Sequence, residues 1–316
     1  MIGRRDFLKI GAGVAAAVAL PGAKAASGAP ARRRIIDVHM HAYPADLVID
    51  SPVNPISGVK NDIRNGADHL AACIAEMKRH NVVRGVVSGG DGDRLKAATD
   101  WHDRDPDRFV AGAGVRGSHE APLPPLETLR AAFASGRIKV LGEVTSEYAG
   151  LSISDPLYDP YLALAEEFDI PVALHTGMMP AGTPFDPCCR AARARFGKPD
   201  LIEDALNRHP KLRLNLMHCG WPYLEDTLAM LTLYPNVNVD TGAVSWLAPR
   251  PQFHDYLHKL VDAGFADRVM FGSDQMFWPN GIGLAIQGVE SAAFLTEAQK
   301  QGIFFDNAAR FYKLAA

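Results

Sequence analysis

Arg34-Ile35-Ile36-Asp37-Val38-His39-Met40-His41, followed by Ala42-Tyr43-Pro44, is the stretch that decides the fold. An apolar run that ends in two histidines reads as a strand with a polar tip. Residues i and i+2 of a strand share a face, so His39 and His41 point to one interior and Met40 to the other side. Two imidazoles converging at a strand end can chelate one metal ion at almost no ordering cost. Any second half of such a site must come from other strand ends.

Those ends can be read off the chain. Val82–Ser88, Phe109–Val115, Ile138–Val144, Pro171–Leu174, Leu212–Met217, Val237–Asp240 and Arg268–Phe271 have the apolar, β-branched character of buried strands. Helical spacing fills the gaps, for example over Ala67–His80, where Leu70, Ile74 and Met77 share a face, and over Arg94–Arg104, Leu126–Ala134 and Tyr223–Leu233. Strands that alternate with helices predict a parallel sheet. About eight such units in about 280 residues predict a closed (β/α)8 barrel, the TIM-barrel fold. No G-x-G-x-x-G or Walker sequence follows any strand, so a dinucleotide or P-loop fold has no support.

Polar residues then collect at the strand C-termini. His39 and His41 come from the first strand, Glu143 from the fourth, His175 from the fifth, His218 from the sixth and Asp274 from the eighth. In a parallel barrel these ends share the face where active sites sit. Imidazole and carboxylate together suit Zn²⁺ first, with Mn²⁺ or Fe²⁺ as alternatives. Without a metal, burying so many titratable groups would be very costly.

The first thirty residues stand apart from this domain, which is expected to run from 31 to 316. Gly3-Arg4-Arg5-Asp6-Phe7-Leu8-Lys9 carries a twin arginine, Ile10–Leu20 is small and apolar, and Ala23-Lys24-Ala25 offers a cleavage site. About eleven apolar residues are too few for a membrane span. The segment resembles a twin-arginine (Tat) signal peptide, which implies the Tat export machinery as a partner and a bacterial periplasmic address, with a mature start near Ala26. The composition of the whole chain is that of an ordinary soluble protein, with 47% hydrophobic and 22% charged residues. A net charge of −3 gives no basic surface for nucleic acid and leaves small molecules as the expected ligands. A homodimer is compatible with it. Of the four cysteines, Cys73, Cys188, Cys189 and Cys219, none has zinc-finger spacing. Adjacent cysteines rarely pair, and no obligatory bridge is expected.

Val38-His39-Met40-His41, Gly142-Glu143, Leu174-His175-Thr176-Gly177, His218-Cys219-Gly220, Gly272-Ser273-Asp274 and the closing Asn307-Ala308-Ala309-Arg310-Phe311 resemble the amidohydrolase superfamily. The nearest likeness is its amidohydrolase-related branch of aminocarboxymuconate semialdehyde decarboxylase, related aryl decarboxylases and pyrone dicarboxylate lactonase. The resemblance implies that His39, His41, His175 and Asp274 hold one metal and that His218 is an acid–base residue beside it. Glu143 stands where other members place a ligating carboxylate, so a second ion held by Glu143, His175 and His218 stays open. Catalysis would rest on Asp274 and His218. The leading expectation is a metal-dependent hydrolase acting through an activated water on an ester, lactone or amide. A non-oxidative decarboxylase or hydratase on the same site is the second, and a non-catalytic periplasmic binding protein the third.

Weaker candidates follow the same strands. Trp221, Tyr223, Met276, Phe277 and Trp278 either wall the pocket or only pack loops. Asp240-Thr241-Gly242 either supplies hydrogen bonds behind the site or only turns the chain, and Met178–Arg195 reads as a long loop or lid. No G-x-S-x-G elbow supports a serine hydrolase.

Overall fold

A computed structural model describes residues 32–89, 94–117 and 123–314. The leader and the Gly90–Gly92 turn therefore lie outside the described residues. Eight parallel strands run in sequence order: β1 Ile35–Ala42, β2 Val82–Gly89, β3 Phe109–Val115, β4 Val140–Val144, β5 Val172–Leu174, β6 Leu214–Leu216, β7 Val237–Asp240 and β8 Val269–Met270. The backbone of β1 meets the segment at β8 through Val38 N–H to Phe271 O (2.9 Å) and Asp274 N–H to His39 O (2.8 Å). These bonds close the cylinder, so the (β/α)8 expectation holds.

The α-helices are α1 Gly66–His80, α2 Arg94–Arg104, α3 Leu126–Ala134, α4 Asp159–Glu167, α5 Glu203–Arg208, α6 Leu224–Leu233, a single turn α7 Val244–Leu247, α8 Arg250–Asp262, α9 Gly281–Glu290, α10 Glu297–Gln301 and α11 Asn307–Phe311, with short 3-10 and π turns between them. The start of α1 is fixed by Asn65, whose side chain accepts from Asp68 N–H, and its end by Asn81 in the left-handed region. Gly66 begins it because a Cβ there would lie 1.9 Å from Pro44 O.

Alternate strand residues build two cores. Ile36, Val38, Val86, Val110, Val140, Ala173, Met217 and Met270 fill the barrel, and Phe305, Ala308, Phe311 and Tyr312 plug its lower end. Met40, Val87, Phe109, Leu141, Leu174, Leu216 and Val239 face the surrounding helices. Each such side chain, fully buried, contributes roughly 1.5–3 kcal/mol.

The face of α1 differs from the expected one. His69, Cys73 and Met77 are the buried residues, while Leu70 and Ile74 are only partly so. His69 Nε2 lies 2.7 Å from Met276 O, so a polar residue takes the central position by satisfying a loop carbonyl. Burial pushes its imidazole down to about 4, against the bond to Met276 O. The unfolded histidine titrates near 6.5, so between those values only the unfolded chain binds the proton. Stability is therefore expected to fall as pH drops from about 6.5 to about 4, by roughly 3 kcal/mol. Urea titrations of metal-free protein at several pH values, set against His69→Gln, measure this. An equal pH slope in the variant would assign the loss to other groups.

A second difference concerns the cysteines. Cys188 and Cys189 are bonded to each other, S–S 2.11 Å, within the tight turn Pro187–Cys189, while Cys73 and Cys219 are free and buried. The turn places both side chains together, and Arg116 Nη1 sits 3.7 Å from Cys189 Sγ.

Candidate metal centre

Simple alternation along β1 would send His39 and His41 outward with Ile35. The strand prevents this by slipping register against β2 between Asp37 and Met40. Ile36 and Val38 face the barrel, whereas Met40 and Ala42 face the helices, so the two histidines turn inward at the strand tip. The same device operates in β4. Leu141 and Val144, three apart, both face outward across a register slip, which leaves Glu143 aimed at the barrel axis. The other residues leave their strands in unusual backbone. His218 (φ 60°), Cys219 (φ 53°), Ala243 (φ 55°), Asp274 (φ 48°) and Met276 (φ 44°) all adopt the left-handed region in the loops after β6, β7 and β8. Such strain in non-glycine residues concentrates where a site imposes geometry.

The structure brings five of the six expected residues into direct proximity. His41 Nε2 is 2.9 Å from Asp274 Oδ1 and 3.6 Å from Glu143 Oε2. His39 Nε2 is 3.7 Å from Asp274 Oδ1 and 3.8 Å from Glu143 Oε1, and His218 Nε2 is 3.9 Å from that same Oε1. Two triads could each surround a cation: His39, His41 and Asp274, and His39, Glu143 and His218. His175 belongs to neither triad. Its ring stacks edge-on to that of His218 at 4.5 Å, and its Nδ1 lies 2.7 Å from Glu147 Oε1.

Two buried imidazole atoms face the centre without a hydrogen-bond partner among the described residues, His39 Nε2 and His218 Nε2, and Asp274 Oδ1 beside them meets His41 Nε2 in an ion pair. Orphaned polar atoms of this kind are costly unless something binds them. Electrostatics point the same way. Burial would depress His39, but the charges of Asp274 and Asp240 outweigh it and lift the imidazole to about 10. Burial would raise Asp274, but His39 and His41 hold its carboxyl well below the usual range. The cluster thus demands positive charge, and a divalent cation meets that demand better than a proton. The residues fit a metal.

Asp240, at the end of β7, lies 3.2 Å from His39 Nδ1, and Gly242 O lies 2.9 Å from His218 Nδ1. Glu147, whose Oε1 meets His175 Nδ1, is a residue behind the centre that the sequence reading missed. No pattern marks it, since it sits in a turn after β4 rather than on a strand end. Asp37 was also missed: its Oδ1 accepts from His39 N–H and Ser273 N–H, joining β1 to the loop that carries Asp274. Of the aromatic candidates, Phe277 stacks on Tyr43 at 5.0 Å, and Trp278 Nε1–H donates to Pro52 O. The loops after β1 and β8 are thereby clasped together beside the site. Arg116 lies over the Tyr148 ring, which in turn packs edge-on against His175.

A family profile described as amidohydrolase matches residues 36–314, and one for the TAT (twin-arginine translocation) pathway signal sequence matches residues 1–21. Among the described residues no helix is long and apolar enough to cross a membrane. Among curated proteins, Protein fluG of Emericella nidulans is 23% identical over 131 residues, covering 37% of this chain and 15% of that protein. Solved structures are similar in fold. A probable 2-pyrone-4,6-dicarboxylic acid hydrolase from Acinetobacter baumannii with citric acid bound superposes with a TM-score of 0.63 at 16% identity, covering 89% of this chain and 99% of that one. A dihydroxybenzoic acid decarboxylase from Polaromonas sp. JS666, with manganese and 2-nitroresorcinol, gives 0.59 at 15% identity, with 89% and 97% coverage. The 2,6-dihydroxybenzoate decarboxylase from Rhizobium gives 0.57 at 17%, with 89% and 99% coverage. A closed barrel, a histidine–carboxylate centre at its C-terminal face and a profile that spans almost everything after the leader lead to one conclusion: the chain belongs to the amidohydrolase family.

Proposed function

We propose that this is an exported, metal-dependent hydrolase that delivers water to the carbonyl of an ester, lactone or amide of a small organic molecule. The observation that carries the reading is the convergence of the unpartnered His39 Nε2 and His218 Nε2 beside the carboxylates of Asp274 and Glu143. His39, His41, Glu143 and Asp274 would hold one divalent ion, zinc in the first instance and manganese or iron as alternatives, with His218 beside it as the proton carrier. His175 would join them through its Nε2, since Glu147 takes its Nδ1; a second ion would fall to Glu143, His175 and His218. When bound, the ion would polarise a carbonyl oxygen and bring the pKa of a water from 15.7 toward about 7.

The chain's own groups handle the protons. Asp274 is ionised at neutral pH and so accepts one. Burial, together with the neighbouring His175 and His39, pushes His218 down to about 4, which leaves it neutral. A carbonyl can only accept, so Gly242 O takes the Nδ1–H of His218 and leaves a lone pair on Nε2. Neutral His218 therefore gives a proton to a leaving group only after it has taken one up. Decarboxylation of a small carboxylic acid is the second reading, favoured by the two decarboxylases of the same fold. There the same proton would pass to the carbon that loses CO₂.

Metal analysis of purified protein, together with turnover on a panel of lactones, esters, amides and arylcarboxylates, tests the proposal. Protein that binds less than about 0.1 divalent ion per chain and hydrolyses nothing in the presence of Zn²⁺ or Mn²⁺ would rule it out. The periplasmic address has its own test. Arg4→Lys with Arg5→Lys is expected to leave the precursor in the cytoplasm, whereas the native chain is recovered outside it, trimmed near Ala26. Fractionation and N-terminal sequencing decide this; unchanged export of the double variant would refute Tat dependence.

A further inference from the structure

Asp240 is fully buried at the end of β7, yet neither proton transfer nor the triads make use of it. Its carboxylate is the most heavily bonded group behind the site. Oδ1 lies 3.2 Å from His39 Nδ1, and accepts from Gly242 N–H at 2.8 Å and from His218 N–H at 3.3 Å. Oδ2 accepts from Asn215 Nδ2 at 2.7 Å, and that amide also reaches Tyr312 Oη at 3.3 Å. Tyr312 belongs to the plug that closes the lower end of the barrel.

Two consequences follow from donor–acceptor chemistry. An ionised carboxylate only accepts, so the ring nitrogen of His39 that faces it carries the hydrogen, and Nε2 is the nitrogen that gives up its proton and offers the lone pair when the ring is neutral. The bond from Gly242 N–H curls residues 240–242 into a turn that presents Gly242 O to His218 Nδ1. A carbonyl also only accepts, so His218 is fixed in the same tautomer. The packing admits little else. A Cβ on Gly242 would lie 2.3 Å from His39 Nδ1 and 2.9 Å from Asp240 Oδ1, and one on Gly272 would lie 2.7 Å from His39 Cβ. Two glycines therefore leave room for this one arrangement.

We propose that Asp240 is the positioning residue of the centre: a single carboxylate that sets the tautomers of His39 directly and of His218 through Gly242, so that both Nε2 lone pairs face the same point. Asn215 and Tyr312 hold that carboxylate from below. The cation reading of the site enters only the affinity measurement described next, not the tautomer measurement.

The test uses the full chain with ¹⁵N-labelled histidine, with and without Zn²⁺, and reads the His39 and His218 ring nitrogens by NMR. Zinc affinity is measured on the same samples by chelator competition. In the native protein both rings are expected to show a protonated Nδ1. Asp240→Ala removes the acceptor and releases both rings to mixed tautomers, and it weakens zinc binding about 10–100-fold, the usual cost of losing an outer partner of a ligating histidine. Asp240→Asn is the control for folding. Its amide oxygen can still accept from Gly242 N–H if the Asn215 amide turns over, so the His218 tautomer is retained and the affinity loss is smaller. If Asp240→Ala changes His39 but leaves His218 fixed, or changes neither ring, the hub is refuted. A loss of thermal stability in Asp240→Ala with both tautomers unchanged would reduce Asp240 to a structural role. If the native protein binds no zinc, the cation reading fails while the His218 tautomer and the response of the His39 Nδ1–H to Asp240→Ala still decide this proposal.

Discussion

Asp274→Asn is expected to give a folded protein that still binds metal and turns over about 10²–10⁴-fold more slowly, the usual cost of losing a general base. The substitution keeps the size of the side chain and one oxygen donor. It also keeps the backbone bond from Asp274 N–H to His39 O, which ties the loop after β8 to β1. What it removes is the negative charge and the basic oxygen: an amide cannot take a proton from water. Loss of that charge will weaken metal binding, so kinetics must be run under excess Zn²⁺ or Mn²⁺ with the metal content measured on the same samples. His218→Asn should do comparable damage with a different pH profile, because the limb that reports the imidazole disappears. Should metal-replete Asp274→Asn work at the native rate on any substrate of the panel, Asp274 has no proton to carry and the case for hydrolysis loses its base.

The barrel and the residues at its strand ends were legible because both depend on periodicity. Eight apolar runs separated by helical spacing admit few folds, and His39, His41, Glu143, His175, His218 and Asp274 each follow such a run. How those side chains come to face one point was not legible. It depends on register slips in β1 and β4 that no residue type announces, and without them His39 and His41 would point at the helices. Residues that act through another side chain were hidden for a related reason. Glu147, Asp37 and His69 each meet a partner far away in sequence through a single polar contact, and their neighbours in sequence carry no trace of it. The Cys188–Cys189 bond was missed because base-rate reasoning about adjacent cysteines ignores the local turn that joins them.

His39→Ala should strip the centre of metal altogether. His39 is the member common to both candidate triads, so its loss removes a donor from each arrangement at once. It also changes the electrostatics. Glu143 and Asp274 both approach His39 Nε2, at 3.8 Å and 3.7 Å, and Asp240 stands behind its Nδ1. With alanine there, those carboxylates lose the group that the burial of the site relies on for compensation, and the cavity left by the ring adds a penalty of its own. Affinity is expected to fall by well over 100-fold, beyond the 10–100-fold typical of outer partners, with turnover falling to background. Glu143→Gln provides the contrast, because it keeps shape and removes one charge. If Glu143 supports a second ion, content drops from about two per chain to about one; if it shares a single ion, content is retained at raised metal and affinity falls. Equilibrium dialysis with elemental analysis distinguishes these outcomes, and far-UV circular dichroism checks that the barrel is intact. Native-like metal content in folded His39→Ala would place the cation elsewhere and dissolve the centre proposed here. Glu143→Gln with unchanged content, affinity and turnover would remove that carboxylate from both the ligand set and the chemistry, leaving His39, His41 and Asp274 to hold one ion.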